Sequence, residues 1–212
     1  MITEERLMHL NPGQLQQYLD LIRNNISPSI RASGGRIICL LQGLIGSPST
    51  KLIQMTQYQN IEAWQLAQGA WTVNREEYIV RESTRILKPI SSRPKEIVPP
   101  EDRRTIYGYR KFIISPASIA EFTVCSEEGI WPRLEKKGAC VLGMWSNAES
   151  VSPSEVILLT GYHSLSHWEE TRFAAEAPGE DNDLWNRENA LRSRREELTL
   201  ETFVEIMAST DL

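Results

Sequence analysis

Cysteine, histidine and phenylalanine are scarce in this chain of 212 residues, at three, three and four copies. Cys39, Cys125 and Cys140 form an odd, widely spaced set that suits neither a disulfide framework nor a zinc site, and they read as small buried thiols. Long apolar runs are missing as well. The longest, Ile37 to Leu41, has five residues, where a membrane helix needs about twenty. The acidic start Met1-Ile-Thr-Glu-Glu lacks the charge pattern of a signal peptide, so a cytoplasmic protein with no membrane span is expected. No Gly-x-Ser-x-Gly elbow and no Gly-rich phosphate loop occurs, which removes two common catalytic frameworks. A basic face is absent too. The net charge is −5, residues 1–103 holding 12 basic and 10 acidic groups and residues 104–212 holding 11 and 18. The one dense cationic cluster, Arg192, Arg194 and Arg195, is followed at once by Glu196 and Glu197 and reads as a solvated helix face, so nucleic acid is not an expected partner.

What remains is the make-up of a soluble globular protein, 41% hydrophobic and 24% charged, with enough length to bury a core. Its strongest feature is internal. Arg6, Pro12, Ile26, Pro28, Gly34, Ile53, Thr56, Tyr58 and Trp64 recur as Arg110, Pro116, Ile130, Pro132, Gly138, Ile157, Thr160, Tyr162 and Trp168, every pair 104 residues apart. Conservative pairs such as Tyr18 with Phe122 and Ile61 with Leu165 keep the same offset. Beyond the tryptophan the offset grows to 114, linking Trp71 to Trp185, Arg81 to Arg195 and Glu82 to Glu196. The chain is thus a duplication.

Residues 1–90 form the first repeat and residues 104–212 the second, which carries an acidic insertion near 177–183. Between them, residues 91–103 hold three prolines and little apolar content, an extended linker. Each repeat reads strand, helix, strand, strand, helix, strand. Asn11-Pro12 is expected to open the first helix, Ser27-Pro28 to interrupt it and Gly34-Gly35 to end it, while Asn60 and Ser164 cap the later helices. A βαββαβ unit closes as an antiparallel sheet with helices on one face, so the expected fold is α+β, two tandem ferredoxin-like repeats whose sheets cover each other as an intrachain barrel.

Glu4-Glu5-Arg6-Leu7-Met8-His9-Leu10-Asn11-Pro12-Gly13 resembles the opening of NIPSNAP-type domains, and Arg110-Lys-Phe-Ile-Ile-Ser-Pro116 keeps its Arg and Pro. Thr56-Gln-Tyr58-Gln-Asn60-Ile-Glu-Ala-Trp64 and Thr160-Gly-Tyr162-His-Ser164-Leu-Ser-His-Trp168 are similar to the third strand and following helix of that family. The resemblance spans nearly the whole chain and implies the dimeric α+β barrel superfamily, here fused in tandem. That superfamily includes cofactor-independent monooxygenases, haem-degrading enzymes, isomerases and polyketide cyclases. The second copy departs at Gly108, which matches Glu4, and at Ala117, which matches Gly13, and this weighs against its serving as a full site.

Strand alternation places Glu4 and Arg6 on one apolar face, and Gly108 and Arg110 on its counterpart. A buried guanidinium needs a partner. Either Arg6 pairs with Glu4 as a structural ion pair, or one or both arginines hold a carboxylate or enolate oxygen of a ligand. Tyr58, Tyr162, Trp64 and Trp168 are either core aromatics or a wall over a flat ligand, and Tyr109 lies beside Arg110. The three histidines have no match in the other repeat. His163 and His167 flank the cap Ser164, where they serve as acid or base, as half of a metal site lacking its third ligand, or as surface groups.

The expected function, resting largely on the fold that the resemblance implies, is a cofactor-independent enzyme of monooxygenase, isomerase or cyclase type. Its substrate is a small, mostly apolar aromatic or polyketide-like molecule, and no metal or cofactor is called for. Arg110, Tyr162 and His163 are the catalytic candidates; Arg6, Glu4, Tyr58, Trp64, Trp168 and Tyr109 are the substrate-binding ones. The alternative is a non-catalytic NIPSNAP-type binding or scaffold protein for a protein partner or hydrophobic ligand, with Glu180, Asp181 and Asp183 as an acidic contact. Because fusion supplies the pairing that single-copy relatives obtain by dimerising, a monomer or a homodimer is expected.

Overall fold

The computed structural model describes residues 1–95, 98–149, 151–172 and 182–210. The chain is α+β and folds as two compact units, Met1–Lys88 with Glu205–Leu212, and Pro89–Val204. Most of the acidic insertion, residues 177–181 with Glu180 and Asp181, lies outside the described residues.

In the first unit, β1 (Ile2–Leu10) is central, paired antiparallel with β3 (Lys51–Tyr58) and β4 (Ile79–Pro89). β2 (Arg36–Ile45) pairs with β3, and the last residues of β8 (Thr199–Ser209) pair with β2, with Leu41 opposite Ser209. The helices are α1 (Leu15–Leu21), α2 (Ser27–Ala32) and α3 (Ile61–Ala67). Tyr18, Ile22 and Ile26 recur at helical spacing and bury against Met8, Leu10, Leu40 and Leu52 of the sheet.

The second unit repeats the plan. β5 (Ile106–Ile114) lies between β8 and β7 (Ser154–Tyr162), and β6 (Cys140–Asn147) is beyond β7. Its helices are α4 (Ile119–Val124), α5 (Trp131–Lys136), α6 (Leu165–Arg172) and α7 (Asn182–Glu197). Phe112, Phe122, Trp131, Met144 and Leu158 form the core. Each unit is a ferredoxin-like βαββαβ repeat, with α7 added in the second before its last strand.

Three expectations about helices need correction. Ser27-Pro28 does not break the first helix, because a wide π-helical turn, Ile22–Ile26, carries the chain into α2 with Pro28 in its first turn. The same device, Cys125–Ile130, precedes Pro132. Proline has no N–H to give the preceding turn, and a wider turn absorbs the missing bond. Asn11 does not cap α1, which starts at Leu15; its side-chain amide donates to the Glu77 carbonyl instead. Third, the offset of 114 fails as a structural equivalence. Arg81 and Glu82 lie on strand β4, whereas Arg195 and Glu196 lie on helix α7. Asn60 does cap α3, accepting from the Ala63 N–H at 2.9 Å. No helix among the described residues is long and apolar enough to cross a membrane.

Candidate active site

The equivalent strands β1 and β5 meet very different surroundings. Glu4 stands opposite Thr56 across the β1–β3 ladder, and Gly108 stands opposite Thr160 across β5–β7, so the two occupy the same place in their repeats. In the first unit that place is filled by the protein itself. Glu4 is 0% exposed and its carboxylate accepts from Arg6 Nε at 2.8 Å, from Gln68 Nε2 at 3.1 Å and from the Trp64 indole N–H. Arg6, 4% exposed, also donates to Glu82 and to Gln68 Oε1, and its guanidinium lies 3.9 Å from the centroid of the Trp71 ring. Glu82 is shared with Arg75. Burial alone would raise the Glu82 carboxyl, but the ion pairs with Arg75 and Arg6 outweigh it and hold the group below its ordinary value. Tyr58 is buried beside this cluster, its phenol pushed far up by burial and then by the Glu4 charge. Arg6, Glu4 and Trp64 are therefore brought together in a charge network that satisfies every arm of the guanidinium.

The second unit has the same strand position and a cavity of about 1330 Å³. Gly108, Arg110 and Phe112 of β5 and Leu158, Thr160 and Tyr162 of β7 alternate onto this side of the sheet. Trp168 and Arg172 of α6, Arg133 of α5 and Trp185, Glu188 and Arg195 of α7 line it as well. Arg110 has no carboxylate partner among the described residues; its Nη1 reaches only Thr202 Oγ1, at 3.4 Å. Burial lowers the Arg110 pKa, and Arg172 adds repulsion. Arg195 lies 4.4 Å from the Phe112 ring centroid and 4.8 Å from that of Phe122. Its Nε and Nη2 are shielded from solvent with no hydrogen-bond partner among the described residues. Burial, then the Arg110 charge, lowers its pKa to about 9, which leaves it protonated at neutral pH. Two cations thus repel one another beside a cavity lined by both apolar and charged side chains. Tyr162 is buried over Gly108, and burial raises its phenol above the usual range, so it is neutral and able to donate.

The remaining candidates lie elsewhere. His163 is exposed and is not part of the cavity lining; its ring stacks on His167 with centroids 5.2 Å apart, and its pKa is lowered, first by Arg104. His167 Nδ1 accepts the His163 backbone N–H at 3.1 Å and its Nε2 lies 2.8 Å from the Lys137 carbonyl, so both ring nitrogens are occupied in tying α6 to the end of α5. Tyr109 is buried on the opposite face of β5 from Arg110, as alternation requires. The cavity also uses residues that sequence reasoning missed. Arg195 read as part of a solvated face because Glu196 and Glu197 follow the arginine cluster; Arg192 and Arg194 are exposed and paired as that reading has it, but the next position of the helix turns Arg195 inward. Arg172 carried a usable signal. It stands eight residues after the cap Ser164, as Gln68 stands eight after Asn60, so a neutral amide in one repeat is a cation in the other.

Neither a protein-family model nor a curated protein sequence matches this chain. Solved structures do. A protein from Lactobacillus acidophilus NCFM, provisionally described as a monooxygenase, superposes with a TM-score of 0.66 over 98% of this chain and 93% of that one, at 10% identity. An anthrone oxidase-like protein superposes with a TM-score of 0.61 over 99% and 91%, at 13% identity. These likenesses show the fold, α+β with two ferredoxin-like repeats in tandem. A NIPSNAP-like domain protein from Burkholderia xenovorans also matches, over 47% of this chain and 89% of its own, with 22% identity and a TM-score of 0.35.

Proposed function

We propose that the second unit of this chain is the active site of a cofactor-independent enzyme acting on a small, mostly apolar aromatic or polyketide-like substrate through its enolate or phenolate. One observation carries the reading: Arg110 and Arg195 face a common cavity with no carboxylate partner among the described residues. In a site of low dielectric, fixed donors stabilise a developing oxyanion more than water does. A carbonyl or phenol oxygen placed between these guanidinia is therefore easier to convert to its anion. Tyr162, neutral in its buried setting, donates to the same oxygen, and Phe112, Leu158 and Trp168 give the cavity apolar lining for a flat substrate. Enolate or phenolate formation is the first step shared by oxygenation, isomerisation and cyclisation of such molecules.

The neighbour described as anthrone oxidase-like suggests the first assay, oxidation of anthrone by dioxygen to anthraquinone and water, followed by absorbance and oxygen uptake. Arg110→Met and Arg195→Met should each lower kcat/KM by about a hundredfold, the size seen when an oxyanion donor is removed. Turnover unchanged in both variants would sink the reading. A binding protein without turnover is the second reading, favoured by two of the three carboxylates that line the cavity, Glu188 and Glu196, being engaged by Arg133 and Arg192, and by the third, Glu201, being exposed. It predicts that a bound aromatic is recovered chemically unchanged.

A further inference from the structure

The duplication sets the same strand position in two different charge environments. In the first unit a carboxylate, that of Glu4, sits on the strand arginine and accepts from the indole N–H of Trp64 and the amide of Gln68. In the second unit the strand arginine is kept as Arg110, and the tryptophan is kept as Trp168. The carboxylate itself is gone. Gly108 stands where Glu4 stands, and the space above it is bounded by the ring of Tyr162, 3.4 Å from where a Cβ would lie. At the remaining donor position Gln68 becomes Arg172, whose guanidinium lies 4.7 Å from the Trp168 ring centroid and which faces the same cavity. One anion has been removed and one cation added, in a site whose three guanidinia, on Arg110, Arg172 and Arg195, have no carboxylate partner among the described residues. Each change alone would be unremarkable, but together they turn a filled ion pair into a socket for an external anion of the same shape.

We infer that the substrate of the second unit carries a carboxylate, held by Arg110 and Arg172 over Gly108 where the first unit holds its own Glu4. This deepens the reading of that cavity as a ligand site and rests on it. The class is an aromatic carboxylic acid: the head group lies between the two guanidinia, and the ring system extends along Phe112 and Leu158 toward Arg195. The planar fork of arginine suits a carboxylate better than a neutral amide or hydroxyl. Glu4 is in this sense a tethered copy of the ligand's head group.

The test uses the full chain and two probes of equal size, 2-naphthoate and its neutral counterpart 2-naphthamide, with binding followed by quenching of tryptophan fluorescence and by calorimetry. Naphthoate should bind at least about tenfold more tightly than naphthamide, the usual advantage of a charge-assisted pair. Arg110→Met and Arg172→Gln should each abolish that preference. Gly108→Glu restores the first unit's carboxylate and should abolish it too by supplying the anion internally. Equal binding of the two probes to the unaltered chain overturns the carboxylate assignment while leaving the cavity as a site for neutral aromatics. Failure of both probes to bind overturns the cavity reading as well. A preference that survives both Gly108→Glu and Arg172→Gln overturns the placement of the head group.

Discussion

Replacing the strand arginine with methionine should have opposite consequences in the two repeats. Arg6 makes hydrogen bonds to Glu4, Glu82 and Gln68, stacks on Trp71 and is 4% exposed. Arg6→Met keeps the volume but strands Glu4, a carboxylate with no exposure, on neutral donors. Removing one member of a buried pair costs about 3–5 kcal/mol, and the indole and amide left behind place this case near 4. For a chain of this length that corresponds to a melting temperature lower by about 10 °C. Among the described residues Arg110 has no carboxylate to strand. Arg110→Met removes a guanidinium that burial and Arg172 already disfavour, so its effect should lie between zero and a gain of about 1 kcal/mol. Urea unfolding at neutral pH, followed by fluorescence of the six tryptophans, measures both. The double variant Glu4→Gln with Arg6→Met should recover part of the loss, because neither charge is then left alone. If Arg6→Met costs less than about 1 kcal/mol, or Arg110→Met costs as much as Arg6→Met, the contrast between a filled and an open charge site is refuted.

Tyr162→Phe keeps the ring over Gly108 and should change stability by less than about 1 kcal/mol while lowering turnover of an enolisable aromatic by about a hundredfold, as steady-state kinetics would show. Gly129→Ala should destabilise by about 1–3 kcal/mol in urea melts, because its Cβ would fall 2.6 Å from Leu191 Cβ and 3.3 Å from the Glu188 carbonyl, forcing α7 off the π-helical turn. Glu82 makes stability depend on pH. Its folded carboxyl titrates below the ordinary value of 4.5, so its contribution is complete above that value and is lost as pH falls through the lower folded one. The deficit of Glu82→Gln should therefore be full at neutral pH and close in acid, measured by melts across that range. His163→Ala should leave turnover within about twofold, since neither that ring nor His167, on which it stacks, lines the cavity.

Periodicity and repetition carry the backbone plan because they are local and cumulative. The offset of 104 pairs Arg6 with Arg110, Tyr58 with Tyr162 and Trp64 with Trp168, and the structure puts the members of each pair on equivalent strands and helices. Alternation along β1 and β5 also identifies which residues share a face with the arginines, and Glu4 is the partner of Arg6 that burial demands. The later offset of 114 misleads because an inserted helix moves residues of the same identity into a different element, so Arg195 has no strand counterpart in Arg81.

The sequence by itself determined the duplicated βαββαβ order, the two strand arginines and the loss of Glu4's carboxylate at Gly108, since each follows from residue type and spacing. Only the tertiary structure decided which repeat is open. Whether a guanidinium is satisfied depends on groups distant along the chain: Glu82 and Gln68 close around Arg6, while Arg172 and Arg195 converge on Arg110 and leave room beside it. That difference is a matter of charge and space in three dimensions, and a one-dimensional pattern that keeps the arginine in both copies does not contain it.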